Sequence, residues 1–157
     1  MTNVMTVKKE IRILGLDTCR KGVIIGAVVR GGLYLDGVLR LHGADSTNSR
    51  AVAKYVRTSR YYPELRVVMT HDKRQTLNGK RLEKAVGLPL IQVATGPTPG
   101  YRRYLTKNGT ANIRTRLPVE TVTRIVALTW TQGKMPEPLR VSHLIAMSKP
   151  VALNRRV

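Results

Sequence analysis

The chain has 157 residues, one cysteine, and a formal charge of +19 from 28 Lys and Arg against 9 Asp and Glu. This length suits a single domain with a sizeable core, and the lone Cys19 excludes a disulfide framework or a cysteine-rich zinc site. No apolar run is long enough to span a bilayer and Met1 to Glu10 has no signal-peptide centre, which points to a cytoplasmic protein, not a membrane protein.

Arg12-Ile13-Leu14-Gly15-Leu16-Asp17 is an apolar run closed by one carboxylate, the pattern of a buried central strand whose last residue surfaces where α/β folds place their chemistry. Cys19, just beyond it, reads as a small half-buried residue. Residues 23–30 form a second strand, Gly31-Gly32 a tight hairpin, and residues 33–41 a third, so the chain opens as an antiparallel meander. Asp45-Ser46-Thr47 offers caps for a helix running to Ser59. On that helix Arg50, Lys54 and Arg57 share an outer face that has no acidic partner.

Residues 66–70 form a strand parallel to the first and end at His71-Asp72, followed by the basic loop Lys73-Arg74. Residues 78–86 predict a helix stopped by Gly87, and residues 88–94 the next buried strand. From Thr95 the pattern weakens: Tyr101 to Lys107 reads as a short helix and Ala111 to Thr115 as a strand. Residues 119–131 make an amphipathic helix after Pro118, and Leu139 to Met147 a last one before a basic tail. The divisions expected are a basic arm at 1–10, a domain at 11–148 and a basic tail at 149–157.

So large a positive excess repels itself in a compact state unless a polyanion neutralises it, and nucleic acid is the usual polyanion. The candidate contacts are Arg50, Lys54, Arg57, Arg60, Lys73, Arg74, Tyr101, Arg102, Arg103, Lys107, Arg114, Arg116, Arg155 and Arg156. Tyr101-Arg102-Arg103-Tyr104 and Arg60-Tyr61-Tyr62 interleave cations with aromatic faces, which suits backbone contact and base stacking. Positive charge spread over helices, loops and tails, with no groove-reading element, favours a folded RNA over duplex DNA.

Ile13-Leu14-Gly15-Leu16-Asp17, Leu35-Asp36-Gly37-Val38-Leu39, Gly43-Ala44-Asp45-Ser46-Thr47 and above all Pro136-Glu137-Pro138-Leu139-Arg140-Val141-Ser142-His143 closely resemble the mainly archaeal endonuclease V-like family, also called endonuclease dU, over roughly Arg12 to Ser148. The resemblance implies a ribonuclease H-like α/β fold: a mixed sheet of three antiparallel strands followed by parallel strands, with covering helices. It also implies that Asp17 binds Mg2+, that Asp45 is a possible second acid, and that His143 lies near a scissile phosphate.

Where the family's next strand usually ends in Asp-Gly, this chain has His71-Asp72, so the carboxylate is displaced by one residue and would face away from Asp17. A cation from the following loop could then pair with Asp17 instead. Two readings result. In the first, a degenerate endonuclease V-like scaffold binds RNA, most plausibly ribosomal RNA beside ribosomal proteins, and needs no cofactor. In the second, an active endonuclease cleaves deaminated or modified nucleic acid, with Mg2+ held by Asp17 and Asp72 and with Asp45 and His143 assisting.

Overall fold

A computed structural model of the chain describes residues 6–148; Arg155, Arg156 and the rest of the expected basic tail lie outside the described residues. Seven strands form one sheet: β1 (Arg12–Asp17), β2 (Val23–Arg30), β3 (Tyr34–His42), β4 (Leu65–His71), β5 (Leu90–Ala94), β6 (Arg102–Thr106) and β7 (Gly109–Thr115), in the spatial order β3-β2-β1-β4-β5-β7-β6. β1 is antiparallel to β2 and parallel to β4, which is parallel to β5. The expected meander and parallel centre are both present.

Four helices cover the two faces: α1 (Ser49–Arg57) and α2 (Gly79–Val86) on one side, α3 (Val119–Thr129) and α4 (Glu137–Met147) on the other. The alternation of β1 sorts its side chains between them. Leu14 and Leu16 pack with Val52, Val56, Leu82 and Val86, whereas Ile13 packs with Val122, Ile125 and Leu139. Odd-numbered residues of β1 therefore face α3 and α4. On β4, Val67 and Met69 join the same cluster as Ile13, so from Val67 onward odd positions face that side there too, while Leu65, before the register shift, packs on the opposite face.

Two expectations are corrected. The cap of α1 is Asn48, whose side chain accepts from the Arg50 and Ala51 N–H groups, while Asp45-Ser46-Thr47 belongs to a preceding 3-10 turn at Gly43–Thr47. The segment 101–107 is not a helix: residues 102–106 form strand β6, paired antiparallel with β7 in a hairpin whose two-residue turn is Lys107-Asn108. Tyr104 packs against the core, and the Asn108 side chain donates to the Trp130 carbonyl. These contacts hold the hairpin, and β7 completes the sheet by pairing antiparallel with β5.

Candidate functional site

Asp17 and His71 are register partners at the carboxyl ends of the two central parallel strands, and both side chains point toward α4. α4 reaches them because its first turn lies directly on β1, where Gly15 leaves room for Pro138. Glu137 fastens that turn with a two-pronged ion pair to Arg140, at 2.7 Å for each contact. At the other end Arg20 donates to the carbonyls of Ala146 and Ser148, tying the segment after β1 to the end of α4. Leu139 anchors the helix in the core, and one turn later His143 meets Asp17.

Asp17 is 1% exposed. Its Oδ1 lies 3.1 Å from His143 Nδ1 and 3.5 Å from His71 Nδ1, and its Oδ2 accepts from the Cys19 N–H at 3.1 Å. The two imidazoles stand edge to face with centroids 6.1 Å apart. His71 is 6% exposed, and neither ring nitrogen has a hydrogen-bond partner. Burial would raise the Asp17 carboxyl, but His71, the thiol and N–H of Cys19, and His143 together hold it below its ordinary value. Burial and the adjacent Asp17 push the Cys19 thiol up to about 12, so it is not a reactive nucleophile in this state.

A carboxyl depressed by folding contributes stability that is complete above its unfolded value and disappears as pH falls through the native one. In chelator, the stability gap between the native chain and Asp17→Asn should be largest near neutral pH and narrow steadily in acid. Urea unfolding across that range measures it, and a gap that widens on acidification would contradict the assignment.

The other expected acids do not converge on Asp17. Asp45 is exposed in the 3-10 turn. Asp72 turns to the opposite side from His71 and is consumed locally: it accepts from Thr18 Oγ1 at 2.6 Å, from Thr76 N–H and Oγ1, and from Leu77 N–H at 2.7 Å. The side chains against the Asp17 carboxylate are the two histidines, not Lys73 or Arg74. His71 and Cys19 were missing from the sequence-based site. The parity of residues 67–71 was the available signal for His71, since it shares a face with Val67 and Met69.

Beside this centre a cleft of about 770 Å³ opens at the carboxyl ends of β4 and β5, lined in part by Lys73, Lys80, Gln92, Tyr101, Arg114 and Arg116. Arg114 stacks over Tyr101 at 5.0 Å and donates to Gln92 at 3.0 Å. Glu83, also in the cleft, accepts from the Leu90 N–H and lies 3.7 Å from Arg116. A second cavity of about 480 Å³ lies above the Asp17 centre, with Lys73, Arg74 and Lys134 around it. Arg50, Lys54, Arg57 and Arg60 are exposed on α1 and just after it, Arg102 and Arg103 on the edge strand β6, and Lys107 at the hairpin turn. The structure thus brings Lys73, Tyr101, Arg114 and Arg116 into one cleft and leaves these other predicted contacts spread over the surface.

No family model matches the chain. A UPF0215 protein of Methanosarcina barkeri is 31% identical to it, across 89% of this chain and 91% of that protein. The chain belongs to the UPF0215 family. A UPF0215 protein of Methanopyrus kandleri is also 31% identical, with the same coverage. Among solved structures, a protein of unknown function from Archaeoglobus fulgidus superposes with a TM-score of 0.71 at 21% identity, covering 87% of this chain and 96% of that one. Endonuclease V from Streptomyces avermitilis superposes at 0.63 and 12% identity, covering 88% and 80%. Argonaute from Marinitoga piezophila, in complex with guide RNA and target DNA, superposes at 0.61 and 11% identity over 90% of this chain and 30% of its own. The UPF0215 chain therefore has a ribonuclease H-like fold.

Mg2+, the ion implied by the likeness to endonuclease V, takes oxygen ligands, usually carboxylates and water, in a strict octahedron. The centre of this UPF0215 chain offers one carboxylate, two imidazoles and a thiol. Those residues do not fit Mg2+. Among the described residues no helix is long and apolar enough to cross a membrane.

Proposed function

We propose that this UPF0215 protein binds RNA, with folded ribosomal RNA as the class of partner, on a scaffold of the endonuclease dU type whose acids no longer grip Mg2+. The observation that carries this reading is the division of labour in the cleft. Its acids, Asp72 and Glu83, are spent on the protein's own loop and strand, while Lys73, Lys80, Arg114 and Arg116 line the walls. The Arg114–Tyr101 stack is a flat cationic platform of the kind on which an unstacked base can rest. The exposed cations of α1 and the β6–β7 hairpin extend the positive surface beyond the cleft, as an irregular RNA surface requires.

Binding of a ribosomal RNA fragment and of duplex DNA, followed across a salt series, tests this. The RNA should bind more tightly, with log K falling linearly in log salt. Replacing Lys73, Arg114 and Arg116 by alanine should reduce that slope by about one for each phosphate contact removed. Tyr101→Ala should weaken binding by about 1–3 kcal/mol with little change in slope. Mg2+-dependent cleavage of an inosine- or deoxyuridine-containing strand, abolished by Asp17→Ala, would overturn the proposal.

A further inference from the structure

We infer that Asp17, His71, Cys19 and His143 form a site for a divalent cation of the Zn2+ class. Ligand atoms of Asp17, Cys19 and His143 all lie within 4.8 Å of one another. His71 lies outside that group of three but approaches the same carboxylate oxygen from the neighbouring strand, so a small shift of its ring is needed to bring it in as the fourth donor. A tetrahedral ion with N and O ligands at about 2.0–2.1 Å separates adjacent donors by roughly 3.3 Å. The Asp17 oxygen lies 3.1 Å from His143 Nδ1 and 3.5 Å from His71 Nδ1, so two edges of such a polyhedron are nearly in place.

His71 supplies the independent sign. An imidazole buried to this depth is unfavourable when Nε2 has no partner and Nδ1 has only the long 3.5 Å approach to Asp17 Oδ1, and a metal bond would satisfy it. The donor set also selects the ion: imidazole and thiolate suit Zn2+ or Co2+, not Mg2+ or Ca2+. On binding, the cation displaces the Cys19 proton to solvent, and its two positive charges then balance the thiolate and the Asp17 carboxylate. The filled site is neutral, one unit more positive than the empty one, so the Lys73, Arg74 and Lys134 charges around the cavity oppose filling and the donor bonds must outweigh them. That cavity touches Cys19, His71 and His143 and gives the ion a path in. β1, β4 and α4, held together through Gly15 and Pro138, fix the donors on rigid elements.

The inference does not rest on RNA binding, and its experiment contains no nucleic acid. The full chain is stripped with chelator and titrated with Co2+. One equivalent should bring up the visible bands of tetrahedral cobalt together with a near-ultraviolet thiolate-to-cobalt charge-transfer band. Zn2+ should bleach both, and excess Mg2+ should not. Cys19→Ser, at a half-exposed position, should lose the charge-transfer band while retaining weakened visible bands. His71→Gln, checked for native circular dichroism, should bind Co2+ more weakly than the parent. Failure to take up one equivalent, or uptake with the same spectrum and affinity in both variants, would overturn the assignment.

Discussion

Gly15→Ala should lower the thermal midpoint by about 5–10 °C. A Cβ at this position would overlap the carbonyl of Pro138 and stand 2.8 Å from the Pro138 Cβ. What it strikes is backbone and a proline ring in the first turn of α4, so no flexible side chain can swing aside. The helix would have to lift from β1. Overpacking of this kind costs about 1–3 kcal/mol, and this site belongs at the upper end because rigid groups must move. For a chain of this size each kcal/mol shifts the midpoint by about 2–4 °C. Lifting α4 would also draw His143 from Asp17, two residues further along the same face of β1, so Co2+ uptake should weaken in the same variant. Gly96→Ala is the control: a Cβ there meets nothing within 4 Å and φ is not positive, so its midpoint should hardly change. Differential scanning calorimetry of the pair decides, and equal midpoints would show that the β1–α4 contact is looser than described.

Asp72→Ala should cost about 2–4 kcal/mol and release the loop that follows β4. The carboxylate accepts four hydrogen bonds, two from the backbone N–H groups of Thr76 and Leu77 and two from the hydroxyls of Thr18 and Thr76. Truncation leaves all four donors without this acceptor. Hydrogen bonds to a charged group contribute about 1.5–3 kcal/mol each when broken singly, and partial access of water to this loop lowers the total. Urea denaturation measures the loss, and hydrogen exchange at the Thr76 and Leu77 amides localises it. RNA affinity should fall as well, although no cation has been removed, because the freed loop carries Lys73 and Arg74. Were Asp72 a metal ligand, the variant would instead lose ion binding and keep its loop. Unchanged Co2+ uptake with faster exchange at residues 76 and 77 separates the two roles.

Much of the architecture was legible from local pattern. Apolar runs of strand length, the hairpin glycines at 31 and 32 and the apolar stripe of 119–129 each carry their own periodicity, and those elements occur where expected. The β6 strand was misread because Tyr101 to Lys107 has no clear period. The Asn108-Gly109 pair, one residue past the centre of the Lys107-Asn108 turn, was the hairpin sign in the sequence, and Tyr104 meets its core partners only after the chain has folded.

For the candidate site, the residues themselves determined that one carboxylate ends the central strand and that the next acid stands one position too late to face it. Alternation along a strand makes such a shift a change of side, and Asp72 does turn away. What moved into its place could be decided only by the tertiary structure. His71 and Asp17 come from strands far apart in sequence, and His143 from a helix more distant still; they meet because β1 and β4 are in register and Pro138 seats α4 on Gly15. Parity is written into each segment separately, whereas the distance between donors exists only once the sheet and helix have packed.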